Sequence, residues 1–365
     1  MEELAAMRAR PPIRVLVVDD SAVMRSLLRM TLATCPEIEL VGMATDGVAG
    51  MEAVERLRPD LVLLDVEMPH RNGLEVLTEM RARSLPGKVI MCSTLTRRGA
   101  GITLEALARG AVDYVAKPSA QHGVCQGLET LSRELLPKIR ALFATAHPAQ
   151  PAATSSPLHV LPRIVPHAAT GVLVIGVSTG GPAALEKFLP ALPAEFPLPV
   201  LIVQHMPRLF TALLAERLNG LCRIPVREAA GGEILQPGTV SLARGDWHMR
   251  VVGSAAHGSL HITQSGPEPH CRPSVDVLFR SAAAVYGAGV LAVVLTGMGS
   301  DGLEGCRAIH NAGGRILVQD RETSAVWGMP GAVAGYGLAD QVLPLDALAA
   351  EVARSSTRYA SSRPA

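Results

Sequence analysis

The sequence predicts an α/β chain made of two doubly wound, mainly parallel domains in series. Three observations carry this. Short apolar runs alternate with stretches of helical period over 13–143 and again over 171–354. Between them, 144–170 is dominated by Pro, Ala and Ser and keeps no period, as an exposed and fairly stiff connector does. Within the second series the texture changes over 223–261, where Gly231-Gly232, Pro237-Gly238, Gly245-Asp246 and Gly253 separate short apolar runs. That punctuation predicts an inserted antiparallel hairpin region.

Composition narrows the function classes. The chain has 365 residues, enough for two or three ordinary domains, and 48% hydrophobic residues to build their cores. A net charge of +1 and only 3% aromatics argue against a nucleic-acid footprint or a base-stacking platform. Six scattered cysteines, none in a C-x-x-C pair, argue against a disulfide scaffold or a structural zinc site and suit a reduced cytosol. Residues 1–10 carry Glu2 and Glu3 and no apolar core, so they do not read as a signal peptide. The uncharged run 281–300 is glycine-rich and reads as a helix end plus a strand. The expectation is a cytoplasmic protein with no direct membrane insertion.

In chain order, the apolar run 13–18 predicts a strand, stopped by Asp19-Asp20-Ser21, with a helix over 22–33. Strand 39–43 and helix 47–56 follow, then strand 60–64 ending at Asp65, the turn Met68-Pro69 and Asn72-Gly73, and a helix to 83. Strand 88–92 ends at Ser93-Thr94, a helix covers 101–109, strand 112–115 leads to Lys117-Pro118, and a last helix runs over 127–143. In a parallel sheet all strand C-termini lie along one edge, where ligands bind. That edge collects Asp19, Asp20, Asp65, Ser93 and Lys117. Three carboxylates there make a hard oxygen site suited to Mg²⁺. Lys117 can neutralise an added anion and Ser93 can hydrogen-bond it. Taken singly, Asp-Asp-Ser is also a helix cap and Lys-Pro a turn; the set of five at successive strand ends points to a phospho-accepting carboxylate.

Residues 13–143 resemble a response-regulator receiver domain, with a (βα)5 flavodoxin-like fold. The resemblance rests on Val18-Asp19-Asp20-Ser21, Leu63-Leu64-Asp65-Val66-Glu67-Met68-Pro69, Asn72-Gly73, Ser93 and Tyr114-Val115-Ala116-Lys117-Pro118. It implies that Asp65 accepts a phosphoryl group from a histidine kinase. It also implies that Asp19, Asp20 and Asp65 hold Mg²⁺, and that Ser93, Tyr114 and Lys117 report the phosphate. An acyl phosphate among carboxylates needs a divalent cation to offset repulsion, whatever the family. His147, His159 and His167, in the connector, read as solvated residues rather than a metal set.

The second domain begins with the β-branched run Val172-Leu-Val-Ile-Gly-Val-Ser-Thr-Gly-Gly-Pro182. It reads as a buried strand, a sharp turn at Ser178 and a helix that tolerates Pro in its first turn. Ser178 is either a nucleophile at a helix N-terminus or a polar cap. Strand 198–203 ends in Gln204-His205-Met206-Pro207, with a helix over 209–218; helix 275–286 and strand 290–295 lead to Thr296-Gly-Met-Gly-Ser-Asp-Gly302. Strand 315–318, Gln319-Asp320 and Val326-Trp-Gly-Met-Pro330 follow. The match of 297–302 to G-x-G-x-x-G is a minor reading, with only Asp320 as an acidic partner downstream. Alone, His205 is as readily a core histidine and Asp301 an N-cap. Together Ser178, His205 and Asp301 supply nucleophile, base and orienting carboxylate. Their order differs from the Ser-Asp-His of α/β-hydrolases, so the G-x-S-x-G match does not place the domain there.

Residues 172–350 resemble the catalytic domain of the chemotaxis protein-glutamate methylesterases, the CheB family. The resemblance rests on Gly176-Val-Ser-Thr-Gly-Gly-Pro182, Val203-Gln-His-Met-Pro207, Arg272-Pro-Ser-Val-Asp276, Leu295-Thr-Gly-Met-Gly-Ser-Asp-Gly302 and Gly328-Met-Pro330, and on the receiver-like domain in front. It departs at Ala243-Arg244-Gly245, where the family often has Ala-Pro-Gly, and at Gly331-Ala332, where it often carries a charge. The resemblance implies hydrolysis of γ-glutamyl methyl esters, and deamidation of glutamines, on methyl-accepting chemoreceptors. The triad would be Ser178, His205 and Asp301, with backbone N–H groups near Thr179 and Met298 for the oxyanion and no cofactor at the hydrolase site. It also implies steric control, with the unphosphorylated receiver covering the Ser178 edge.

Overall fold

The computed structural model describes residues 11–118, 123–144, 171–268 and 271–360. Of the expected connector 144–170, residues 145–170, which include its three histidines, lie outside the described residues. The chain forms two units, Met1–Phe143 and Ala144–Ala365.

The first unit runs β1 (Ile13–Val18), α1 (Ala22–Leu32), β2 (Ile38–Ala44), α2 (Gly47–Leu57), β3 (Leu61–Asp65), α3 (Gly73–Ala82), β4 (Lys88–Ser93), α4 (Arg97–Ala108), β5 (Asp113–Ala116) and α5 (Val124–Phe143). Its sheet has the order β2-β1-β3-β4-β5 and every pairing is parallel. The central strand β3 is buried along its whole length, as a strand covered by helices on both faces must be. Caps decide where helices start. Ser21, Asp46, Asn72 and Thr96 each accept a backbone N–H of the following turn through their side-chain oxygen. Thr96 is the reason α4 begins four residues before the expected 101. Strand β3 is shifted one residue from 60–64, so Asp65 is its last residue.

The second unit runs β6 (Val172–Val177), α6 (Gly181–Phe188), β7 (Val200–Gln204), α7 (Arg208–Leu221), β8 (Val226–Glu228), β9 (Val240–Leu242), β10 (His248–Ser254), β11 (His257–Thr263), α8 (Val275–Tyr286), β12 (Val290–Val294), α9 (Leu303–Asn311), β13 (Arg315–Gln319), α10 (Met329–Gly335), β14 (Gln341–Leu343) and α11 (Leu345–Ala360). Seven strands form one parallel sheet in the order β14-β13-β12-β6-β7-β9-β8. Strands β6, β7 and β12 at its centre are buried throughout.

The texture change over 223–261 holds one antiparallel hairpin, β10–β11, rather than several. Strands β8 and β9 instead join the main sheet in parallel beside β7. The turn-forming residues between them do not make a hairpin; the intervening chain crosses back and packs on β11 through an antiparallel bridge between Ile234 and Ser259. Its length permits that crossover, and burial of β9 on the sheet favours it. Helix α8 covers the central strands. A side chain at Gly176 would meet Val275 Cγ1 at 2.4 Å, so glycine in β6 is what lets this helix approach. Among the described residues, no helix is long and apolar enough to cross a membrane.

Candidate active site

Ser178, His205 and Asp301 all follow the C-terminal ends of adjacent strands β6, β7 and β12. Ser178 is one residue past β6, in a turn closed by the Gly181 N–H donating to its carbonyl at 2.8 Å. Gly180 takes φ +79°, and a Cβ there would lie 2.5 Å from Ala325 Cβ, so the turn requires glycine on both counts. Pro182 sits in the first turn of α6, where its missing N–H costs nothing. Gln204, the last residue of β7 and fully buried, donates from Nε2 to the carbonyls of Ser178 at 3.0 Å and His205 at 3.3 Å. One amide therefore ties the serine turn to the histidine.

The His205 Nε2 lies 2.7 Å from Asp301 Oδ2. Asp301 is held by the start of α8. Its Oδ2 also accepts the Val275 N–H at 2.7 Å, while Oδ1 accepts the Ser274 hydroxyl at 2.9 Å and the Asp276 N–H at 3.0 Å. A buried carboxylate is thus satisfied by four donors at a helix N-terminus, where backbone partial charge favours an anion. Burial alone would raise its pKa; the His205 contact and the backbone N–H groups outweigh burial and hold it below the ordinary carboxylate value. The buried His248 props up this helix start, its Nδ1 accepting the Ser274 N–H at 3.2 Å and its Nε2 facing the Gly266 carbonyl at 3.0 Å. On His205, burial acts to lower the pKa, and the contacts to Asp301 and then Cys271 push it up to about 9.

With Nε2 committed to Asp301, Nδ1 is the ring nitrogen that has no carboxylate on it. Its recorded neighbour is Cys271 Sγ at 4.0 Å, and no hydrogen bond joins Ser178 Oγ to His205 among the described residues. Resting serine–histidine contacts are often loose before substrate binds. Thr179 is buried and its carbonyl accepts the Thr296 hydroxyl at 2.9 Å. Gly297 packs directly on the serine, since a Cβ there would lie 2.8 Å from Ser178 Cβ. Cys271 and His248 lie outside the motifs read in the sequence, and Gln204 and Ser274 lie inside them with no role assigned. The run Arg272-Pro-Ser-Val-Asp276 carried a motif resemblance, but its role as the Asp301 anchor needed the fold.

On the first unit, Asp19 follows β1, Asp65 ends β3, Ser93 ends β4 and Lys117 follows β5. Lys117 Nζ sits 2.8 Å from both Asp19 Oδ2 and Asp65 Oδ2. One oxygen from each of Asp19, Asp20 and Asp65 falls within 4.8 Å of the others. Burial and then the Asp19 charge push the Asp65 pKa up to about 6, against the pull of Lys117. Ser93 and Tyr114 are both buried. The Ser93 hydroxyl is engaged by Thr103, which donates to it at 2.7 Å, and itself donates to the Thr94 carbonyl at 3.2 Å. Lys138 Nζ lies 5.0 Å from the centroid of the Tyr114 ring. Thr103 is a partner the sequence did not single out.

Fold and site together define a class: a five-stranded parallel α/β domain with a cluster of carboxylates at its sheet edge, joined to a second parallel α/β domain with a serine, histidine and carboxylate on one sheet edge. Residues 15–129 match the response regulator receiver domain family and residues 173–352 the CheB methylesterase family. A protein-glutamate methylesterase/protein-glutamine glutaminase of a Nocardioides species is 49% identical over 356 residues, covering 95% of this chain and 96% of the relative. One of the same name from Trichodesmium erythraeum is 44% identical, covering 94% of this chain and 99% of the relative. The crystal structure of the Thermotoga maritima CheB methylesterase catalytic domain superposes with TM-score 0.50 at 38% identity, covering 51% of this chain and 99% of that one. The chain belongs to the protein-glutamate methylesterase/protein-glutamine glutaminase family.

Proposed function

We propose that the chain hydrolyses γ-glutamyl methyl esters on methyl-accepting chemoreceptors, releasing methanol, and deamidates specific glutamines there, under control of phosphorylation at Asp65. The observation that carries the hydrolytic half is the His205–Asp301 contact at 2.7 Å beside Ser178 on the same sheet edge. His205 Nδ1 takes the proton from Ser178 Oγ as that oxygen attacks the ester carbonyl. Asp301 keeps the imidazole in the required tautomer and stabilises its charge. Backbone N–H groups at Thr179 and Met298 stabilise the oxyanion. The imidazolium gives its proton to the departing methanol. Water, deprotonated by His205, then frees the γ-carboxylate and returns the proton to Ser178. With glutamine, ammonia leaves instead, and the remaining steps are shared.

On the regulatory half, Asp65 receives the phosphoryl group from a histidine kinase, and Ser93, Tyr114 and Lys117 respond to it. The donor set of Asp19, Asp20 and Asp65 is all oxygen and under-neutralised by one lysine, which fits Mg²⁺. Asp19, Asp20 and Asp65 would hold the ion, which would supply positive charge to offset that of the phosphoryl oxygens. The domain limits that follow are 13–143 and 171–354 with a linker over 144–170, and the setting is the cytoplasm.

The test is methanol release from methylated receptor membranes, with and without a small-molecule phosphodonor and Mg²⁺, by wild type, Ser178→Ala and Asp65→Asn. Release that requires Ser178 and rises with phosphodonor only when Asp65 is present supports both halves. No release from any receptor, with Asp65 still phosphorylated, removes the esterase reading and leaves an adaptor or an esterase of another substrate.

A further inference from the structure

Cys271 has no part in the reaction just described, yet its sulfur faces the nitrogen that the reaction uses. Sγ lies 4.0 Å from His205 Nδ1, across 66 residues of sequence. One atom from each of Cys271, His205 and Asp301 falls within 4.8 Å of the others. Cys271 is half-buried rather than sealed in the core. We propose that Cys271 and His205 form an inhibitory site for a zinc-class divalent cation, which takes the general-base nitrogen and stops hydrolysis.

Three features argue for this chemistry. The first is donor type. A thiolate and an imidazole suit Zn²⁺ or Cd²⁺, whereas Mg²⁺ prefers the all-oxygen edge of the first unit. The second is orientation. The Asp301 contact at Nε2 fixes the imidazole so that Nδ1 is the nitrogen turned away from the carboxylate. A carboxylate on the far nitrogen is the usual support of a zinc-bound histidine. The third is distance. A tetrahedral ion with ordinary Zn–S and Zn–N bonds spans roughly 3.6 Å between the two donors, so closing the observed 4.0 Å takes a shift of about 0.4 Å. Water completes the coordination. Both donors bind a metal only in their deprotonated forms, so the site tightens as pH rises. The same lone pair cannot both hold the ion and accept the Ser178 proton, which is why occupancy and turnover exclude each other.

The inhibition rests on the esterase reading; the metal site does not. The experiment therefore uses two readouts on the full-length chain. Methanol release is titrated with Zn²⁺ for wild type, Cys271→Ala and Cys271→Ser, each relative to its own metal-free rate. Thiolate-to-metal charge transfer is titrated with Cd²⁺ in the ultraviolet for wild type, Ser178→Ala and Cys271→Ala. Asp19→Asn is carried as a control for ions held on the first unit. We expect half-inhibition at a zinc concentration at least tenfold lower for wild type and Asp19→Asn than for either Cys271 variant. The cadmium band should be retained in Ser178→Ala and reduced by one thiolate equivalent in Cys271→Ala. Equal zinc sensitivity of wild type and Cys271→Ala, or identical cadmium bands, overturns the proposal. If no protein releases methanol, the esterase reading fails, and the cadmium band alone decides the metal site.

Discussion

Asp65 and Asp301 are the same residue type, each at the C-terminal edge of a parallel sheet and each almost sealed from solvent. Their environments drive them in opposite directions. Asp301 is met by Ser274, two backbone N–H groups of α8 and His205, and is held anionic below its ordinary value. Asp65 shares one ammonium group with Asp19, and is pushed up to about 6. The difference teaches what each edge is built for. A carboxylate whose lone pairs are already filled by fixed donors serves as a permanent counter-charge for a histidine. One with unmet negative charge beside it has a use for an incoming cation.

The largest break in that comparison comes from removing the group the first carboxylate serves. Ser178→Ala should lower methanol release by about 10³-fold or more, since base and oxyanion donors then have no nucleophile to assist. A residual rate within about tenfold of wild type, measured by methanol release, would falsify the nucleophile assignment.

Asp301→Asn follows, with an expected loss on the order of 10²–10⁴-fold. Its pH profile is the sharper readout. His205 acts as a base only when neutral, and Asp301 favours its protonated form, so wild-type kcat/KM should rise with pH through an inflection near 9. With the carboxylate gone, the inflection should fall toward the ordinary imidazole value of about 6.5, on a lower plateau. An unchanged inflection would remove Asp301 as the source of the shift.

The Asp65 side is read by stability. Its folded pKa near 6 lies above the unfolded value of about 3.9, so the folded state binds more protons between those values. The contribution is fully present below about pH 4 and is lost as pH rises through 6. Without Mg²⁺, Asp65→Asn should therefore raise stability at pH 7.5 by on the order of 2–3 kcal/mol relative to its effect at pH 4. Urea midpoints at the two pH values check this; a gain independent of pH would show that Asp65 is not strained by charge. Mg²⁺ should stabilise wild type and leave the variant nearly unmoved.

The smallest expected effect is Ser274→Ala, which takes one donor from Asp301 and leaves the others. A loss of about 1 kcal/mol in stability and a several-fold fall in kcat at constant KM are expected. A change confined to KM would assign Ser274 to substrate contact instead.

Much of the site could be read in the chain because parallel sheets sort residues by position. A polar residue just after an apolar run reaches the functional edge, and that rule placed Asp19, Asp65, Ser93, Lys117, Ser178 and His205 there. The rule failed for residues that enter from elsewhere. Cys271 and Ser274 lie in the segment before α8, directly behind no strand. Strands β8 and β9 were missed for a related reason. At three residues each, they carry no period, and only burial against β7 decides their direction.

What the sequence by itself determined is the alternation of strand and helix, the two-part organisation and the chemical types gathered at each edge, because apolar period and turn residues are local properties. What only the tertiary structure decided is which partners those groups meet. Asp301 becomes a satisfied anion because the start of α8 arrives beside it, and Asp65 becomes an unsatisfied one because Asp19 does. Cys271 faces His205 Nδ1 for the same reason. Charge and metal affinity depend on separations of a few ångströms between residues far apart in the chain, and packing alone sets those separations.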